Sequence, residues 1–324
     1  MSPNASSIRH YIALARPDHW VKHIFIVPGI VAAFALAPHL PVLQIFSNMV
    51  IGFISACLVA SANYVLNEWL DAETDKNHPE KANRPSACGL VKPLYVYIEY
   101  AVLGVLGLLL AAQINDVFLI ASVALFVSGI TYNVKPIRTK DRVHFDVLSE
   151  AVNNPIRLLL GWAMVSSATI PPLSLLITYW AGGAFLMAAK RLSEYRYIVQ
   201  EKGPEAPGLY RRSFRFYTVE SLTLSCFVHA LASTFGIAVF LIKYRSEFIF
   251  TFPLIIILFG YYLHLGLQPL SVAQKPEKLH RDWKLVTLVA LLVISSVYCV
   301  FVDIPFIEQL AQSKFVEINL HAPE

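Results

Sequence analysis

Nine apolar runs, each about 20 residues long, follow one another along the chain with only short polar segments between them. They fall near residues 20–38, 46–70, 93–112, 116–134, 147–168, 173–195, 218–242, 247–268 and 284–303. A run of that length crosses the hydrocarbon core of a bilayer as an α-helix, the one open-ended structure that satisfies its own backbone there. Composition agrees: 56% of the 324 residues are hydrophobic, only 15% are charged, and mean hydropathy is +0.56. Such a chain is too apolar for an ordinary soluble domain. Pro38, Pro93, Pro136, Pro171 and Pro172 stand at run ends, where a missing backbone donor is tolerated. Only residues 113–116 separate the third run from the fourth, which predicts a tight helical hairpin. No soluble domain, low-complexity linker or short repeat interrupts the pattern. The expected fold is all-α, a single polytopic transmembrane bundle over residues 1–324. Cys57, Cys88, Cys226 and Cys299 are scattered without a CxxC pair, so neither a disulfide framework nor a thiolate metal site is expected. The N-terminal segment is polar and then basic without a cleavage signal, so the first run is expected to be retained as a span.

Charge placement orients the bundle. With a cytoplasmic N-terminus, 22 of the 26 Lys and Arg fall inside. They are Arg9, Arg16 and Lys22, then Lys76, Lys81, Arg84 and Lys92, then Lys135, Arg138, Lys140 and Arg142. Lys190, Arg191, Arg196, Lys202, Arg211, Arg212 and Arg215 follow, and Lys275, Lys278, Arg281 and Lys284 complete the set. Only Lys243, Arg245 and Lys314 fall outside, and Arg157 sits within a run. The positive-inside rule then makes the N-terminus and every chemistry-bearing loop cytoplasmic.

Residues 67–89, NEWLDAETDKNHPEKANRPSACG, directly follow the second run. Asn67, Asp71 and Asp75 recur every fourth residue, so on a helix they share a face, about 6 Å apart. Hard oxygen ligands without Cys or His suit Mg²⁺, which takes one or two carboxylates plus substrate phosphates. Lys81 and Arg84 follow at once, and both side chains hold phosphate oxygens. Three further polar segments reach the same face. Residues 131–146 carry Tyr132, Lys135 and Arg138, read either as a positive-inside anchor or as substrate contacts. Lys190, Arg191 and Glu194 supply either an i,i+4 ion pair or a second phosphate clamp. In PEKLHRDWK, Asp282 is read as a helix cap. Arg157 is a guanidinium within a span, after Asn153, Asn154 and Pro155, and such a residue faces a cavity or a partner. Asp146 and Glu150 precede it toward the same membrane face. His78 and His144 are read as solvated or as local caps.

These residues resemble the UbiA superfamily of intramembrane prenyltransferases. NEWLDAETD resembles that family's N-x-x-x-D-x-x-x-D motif, and HPEKANRPSACG its continuation, with Lys81, Arg84, Pro85 and Gly89 in place. The branch most similar is the decaprenyl-phosphate phosphoribosyltransferases. ARPDHWVKH resembles that branch's R-P-x-x-W-x-K-N segment, with Lys22 matched and His23 in place of the usual Asn. KRLSE, RRSFRFYTVESL, PEKLHRD and the pair Arg157 and Gly161 resemble further segments of it. The resemblance implies nine transmembrane helices, a bacterial inner-membrane location and Mg²⁺ as cofactor. Asn67, Asp71 and Asp75 become the metal ligands, and Asp71, Asp75 and Arg157 the catalytic candidates. Asn67, Lys22, Lys81, Arg84, Tyr132, Lys135, Arg138, Lys190, Arg191 and Glu194 become the substrate-binding candidates. The implied partners are a polyprenyl lipid substrate, a diphosphate-bearing donor and membrane lipid, not nucleic acid.

One departure separates two activities. Prenyltransferases of the superfamily carry a second D-x-x-x-D on the sixth helix, where this chain has Lys190, Arg191 and Glu194. Two cations and one carboxylate suit a second anion better than a second Mg²⁺. The resemblance therefore implies transfer of 5-phosphoribose from phosphoribosyl diphosphate to a polyprenyl phosphate. Its alternative is transfer of a polyprenyl group from its diphosphate to an aromatic or other small acceptor. A transporter is the remaining reading, but transporter sites sit near the midplane on broken helices, whereas these charges gather at one face. Cysteines placed in residues 76–92, 135–142 and 202–212 are expected to react with an impermeant thiol reagent only from the cytoplasmic side. Labelling of any of these segments from outside contradicts the topology.

Overall fold

The computed structural model describes residues 7–302, except 245, 270 and 275, together with 304 and 307. Arg245, Lys275 and Lys314 of the charge count lie outside the described residues. Among the described residues every regular element is helical: α1 Ile8–Ala15, α2 Val27–Leu36, α3 Val42–Asp75, α4 Pro93–Ala111, α5 Asp116–Asn133 and α6 Phe145–Ala151. After these come α7 Asn153–Val165, α8 Leu173–Lys202, α9 Ala206–Tyr210, α10 Val219–Tyr244, α11 Phe252–Gly266 and α12 Trp283–Phe301.

Seven segments are long and apolar enough to cross a membrane. They are Ile8–Leu36, Val42–Asp75, Pro93–Ala111, Asp116–Asn133, Leu173–Lys202, Val219–Tyr244 and Ser246–Gly266. Each matches an expected run. Of the other two expected runs, one is broken into two short helices. The run at 147–168 is divided at Val152 into α6 and α7, of 7 and 13 residues. Pro155, three residues later, has no amide to donate back across the break. The last run forms α12, whose 19 residues equal α4 in length. Among the described residues seven segments meet the full measure of a crossing, against nine expected. The first run is also less regular than its hydropathy suggests. Arg16 closes α1 in the left-handed region at φ 49°, Pro17 begins ten residues of 3-10 turns, and α-helix resumes only at Val27.

Two long helices carry the rest. The 34-residue α3 packs on α1, α4, α5 and α7, and the 30-residue α8 packs on α6, α7, α10 and α11. One core joins Ile30, Ala56, Val59, Phe118, Leu125 and Trp162. A second joins Val147, Ala184, Phe185, Ala188, Cys226 and Tyr262 around α8. Large apolar side chains such as Phe46, Ile120, Phe235, Ile242 and Ile294 remain on the outside. Around a soluble protein they would be a liability, whereas lipid tails meet them at no cost.

Within a bilayer, helices associate by close packing, so small residues decide where backbones meet. A Cβ on Gly29 of α2 would stand 2.0 Å from the Leu158 carbonyl oxygen of α7. A Cβ on Gly161 of α7 would stand 2.1 Å from the Ile26 carbonyl oxygen. The two glycines lock α2 against α7 reciprocally. Arg157 lies one turn before Gly161 on the same helical face, so this crossing also sets its position. Gly161→Ala is expected to lower the thermal unfolding temperature of the purified protein, at a cost of about 1–3 kcal/mol. Gly260→Ala, whose Cβ meets nothing within 4 Å, is expected to leave that temperature unchanged.

Candidate active site

A cavity of ≈ 410 Å³ opens where the end of α3 meets α5, α6, α7 and α8. Asn67 and Asp71 of α3, Tyr132 and Asn133 of α5, Glu150 of α6 and Arg157 of α7 line it. Lys190, Arg191 and Glu194 come from α8, Tyr210 and Arg211 from the segment after it. The α3–α4 loop adds His78, Lys81 and Arg84, and the 3-10 turns before α2 add Lys22.

The carboxylates of the α3 motif are neutralised by cations from two loops. Asp71 Oδ1 accepts from Arg138 Nη2 at 2.9 Å and pairs with Lys140 Nζ at 2.5 Å. Asp75, 1% exposed, accepts from Arg84 Nη1 at 2.7 Å. Asn67 Nδ2 donates to Asn133 Oδ1, and Lys140 Nζ donates to that same oxygen at 2.7 Å. Asn133 therefore ties α3 to the loop that brings both cations to Asp71. Burial pushes the Lys140 ammonium down to about 8, against the opposing pull of Asp71.

A second network fills the α8 side. Glu194 is 4% exposed and meets Lys81 Nζ, Arg191 Nη1 at 3.2 Å, His78 Nε2 at 3.5 Å and the Tyr210 hydroxyl at 3.2 Å. Lys81 also donates to that hydroxyl. Arg191, 1% exposed, donates to Glu150 and to the Tyr132 hydroxyl. Lys190 Nζ donates to the other Glu150 oxygen at 3.3 Å. Behind them, the fully buried Asp146 accepts from Ser213 and Tyr217 and lies 3.7 Å from Arg211 Nη1. Burial lowers the pKa of Lys81 and of His78, in both cases against Glu194, which favours the charged form.

Most expected site residues thus converge, with four differences. Lys135 is exposed, and neither it nor Arg138 lines the cavity; beyond Pro136 the loop instead brings Arg138 and Lys140 onto Asp71 from behind the lining. Lys190 and Glu194 do not form an i,i+4 pair, since each is drawn to a stronger partner on another element. Asp75 is buried under Arg84 and does not itself line the cavity. His78 is a local cap, accepting at Nδ1 from the amides of Glu80 and Lys81, but it is buried rather than solvated. Asp282 caps α12 as expected, accepting from the Leu285 amide. Asn133, Lys140, Tyr210 and Arg211 were not marked as site residues. Lys140 and Arg211 counted only as loop charges, Arg211 also opening the quoted segment RRSFRFYTVESL, and nothing local singles out Asn133 or Tyr210.

Among the described residues, no group of three or more His, Cys, Asp or Glu is gathered as a metal centre. The oxygen donors of Asn67, Asp71 and Asp75 still fit Mg²⁺, because this ion draws much of its coordination from substrate phosphates and water. The fit requires a diphosphate to arrive with it, so that Arg84, Arg138 and Lys140 exchange carboxylate for phosphate partners.

A helical membrane bundle with a cation-rich cavity and paired carboxylates at its helix ends is an integral-membrane transferase. The chain belongs to the UbiA prenyltransferase family, whose match covers residues 25–288. It is 28% identical over 234 residues to a decaprenyl-phosphate phosphoribosyltransferase of Mycobacterium tuberculosis, covering 72% of each chain. It is 28% identical over 204 residues to a protoheme IX farnesyltransferase of Bordetella avium, covering 60% of this chain and 65% of that one. The fold matches a UbiA homologue from Archaeoglobus fulgidus bound to DMAPP and Mg²⁺, with TM-score 0.67 and 19% identity, over 90% of this chain and 99% of that one.

Arg191→Leu leaves Glu150 and Glu194 short of a buried counter-charge, and breaking such a pair costs about 3–5 kcal/mol. A large fall in unfolding temperature is expected. Lys190→Ala removes a cation whose side chain is 19% exposed, so a much smaller fall is expected in the same measurement.

Proposed function

We propose that the chain moves 5-phosphoribose from phosphoribosyl diphosphate to a polyprenyl phosphate. The observation that carries this reading is the state of α8. Its one motif carboxylate, Glu194, is already saturated by Lys81, Arg191, His78 and Tyr210, while Lys190 and Arg191 add positive charge to the cavity. That wall suits a second anionic substrate better than a second metal-bound diphosphate. The similarity to a decaprenyl-phosphate phosphoribosyltransferase supports the same choice.

Asp71 and Asp75, with Asn67, would hold Mg²⁺ for the donor diphosphate. The metal, when bound, offsets the charge that grows on the departing diphosphate. Arg84, Arg138 and Lys140 turn from the carboxylates to the diphosphate oxygens, where charge-assisted hydrogen bonds stabilise the same charge. An oxygen of the acceptor phosphate bonds to C1 of the ribose as the C1–O bond to the diphosphate breaks. The diphosphate leaves with the electron pair, and C1 passes through an oxocarbenium-like state. The acceptor phosphate is already ionised, so the step needs no general base. Glu150 and Glu194 hold Lys190, Arg191 and Lys81 in place, and Tyr132 braces Arg191. The polyprenyl tail lies in the bilayer against the bundle, and the site faces the cytoplasm of a bacterial inner membrane, as the loop cations favour.

Prenyl transfer from a polyprenyl diphosphate is the second reading, favoured by the DMAPP-bound Archaeoglobus homologue of the same fold. Diphosphate release by the purified protein tests the choice. Release from phosphoribosyl diphosphate that depends on polyprenyl phosphate is expected, and release only from a prenyl diphosphate sinks the proposal. Asp71→Asn and Asp75→Asn are each expected to cut turnover by about 10²–10³-fold. Lys190→Ala is expected to raise KM for one substrate more than it lowers kcat. Near-normal turnover of both aspartate variants at low Mg²⁺ rules out the metal assignment.

A further inference from the structure

The cavity holds cations that the diphosphate end does not use. Arg157 lines it, forms no ion pair among the described residues, and has a buried Nε without a hydrogen-bond partner. The 3-10 turns before α2 pack on α7, and in them His23 is 3% exposed, with its Nδ1 also unpartnered. Across the cavity, Lys22 Nζ lies 5.7 Å and Arg16 Cζ 5.8 Å from the centroid of the Tyr64 ring, and His19 meets that ring edge-on at 5.0 Å. Arg157, Lys190 and Tyr64 all line this one cavity. Arg16 is matched by Glu68 at 2.7 Å and Lys190 by Glu150 at 3.3 Å. Arg157 has no such match.

An unmatched guanidinium at membrane depth is costly, and its buried Nε–H without an acceptor adds to that cost. A ligand that brings negative charge and several acceptor oxygens offsets both. Phosphate meets that description, and its geometry suits the guanidinium fork. The subsite offers no free carboxylate, since Glu150 is held by Lys190, Arg191 and Tyr132. A metal-bridged diphosphate therefore belongs elsewhere. Tyr64 and Asp71 are seven residues apart on α3, which places the two ends about 10 Å apart along the helix axis. Neither Asp71 nor Asp75 shares a bonded partner with Arg157.

We propose that Arg157, together with Lys22 over the Tyr64 ring, forms a phosphate-monoester subsite distinct from the diphosphate end at Asp71. Two monoesters fit it: the headgroup of a polyprenyl phosphate, or the 5-phosphate of the sugar donor. The choice between them rests on the phosphoribosyl reading, but the existence of the subsite does not.

Titration calorimetry of the full-length protein in nanodiscs tests this without Mg²⁺, using farnesyl phosphate and ribose 5-phosphate as probes. One of the two is expected to bind, and Arg157→Gln is expected to weaken it by about tenfold or more, the worth of a charged hydrogen bond. Lys22→Gln provides a second variant at a position open to the cavity, and the unfolding temperature of each variant reports its folding. Binding of inorganic diphosphate with Mg²⁺ is expected to stay within about twofold of wild type in both variants. Arg157-dependent binding of farnesyl phosphate assigns the subsite to the lipid headgroup, and Arg157-dependent binding of ribose 5-phosphate assigns it to the donor. Binding of neither probe, or binding indifferent to both variants in folded protein, overturns the proposal. Arg157-dependent binding of farnesyl phosphate by a protein that forms no phosphoribosylated product keeps the subsite and removes the phosphoribosyl reading.

Discussion

Buried carboxylates at the end of a membrane bundle persist only where each meets a cation, and that requirement builds this cavity. Asp71 is met by Arg138 and Lys140, Asp75 by Arg84, Glu194 by Lys81 and Arg191, and Glu150 by Lys190 and Arg191. The partners come from different elements, so neutralising the carboxylates draws the α3–α4 and α5–α6 loops and α8 together around the end of α3. Such pairs add little net stability in a low-dielectric site, but losing one partner is expensive. The network therefore specifies arrangement more than it contributes stability.

The same arrangement primes the cavity for anionic substrates. Each cation is held by a carboxylate that a metal ion can take over, and each released cation is then free for a phosphate oxygen. Under the proposed function, Mg²⁺ and diphosphate would each lack a full set of open partners alone and would therefore bind together, coupled by charge balance. The α8 wall behaves differently, because Glu194 and Glu150 are enclosed by their cations and lie across from the α3 motif. One cavity thus has an exchangeable end and a fixed cationic wall, which matches a reaction between a metal-bound donor and a second anion.

Much of this was legible in the chain itself. Apolar runs located the long helices because hydropathy over about 20 residues is a strong signal. The four-residue spacing of Asn67, Asp71 and Asp75 marked the α3 face because helical geometry fixes which residues are neighbours. The division of the fifth run at Val152 was not legible, since hydropathy does not register a break that the packing of α6 and α7 completes. Lys140 and Asn133 were invisible as site residues because only the fold carries residues 133–140 back onto α3. Tyr210 and Arg211 lie in a short polar segment whose place is set by Asp146, Ser213 and Tyr217, contacts about 65–70 residues apart. Lys135 was misplaced for the same reason: a loop charge is easily seen, but its direction is a tertiary property.

The mass of the lipid product tests the central claim most directly. Purified protein is supplied with Mg²⁺, phosphoribosyl diphosphate, a polyprenyl phosphate, a polyprenyl diphosphate and an aromatic acceptor, and the extracted lipids are analysed by mass spectrometry. The account predicts a polyprenyl phosphate that has gained one 5-phosphoribosyl group, absent when Mg²⁺ is chelated. A prenylated aromatic product with no phosphoribosylated lipid would contradict it.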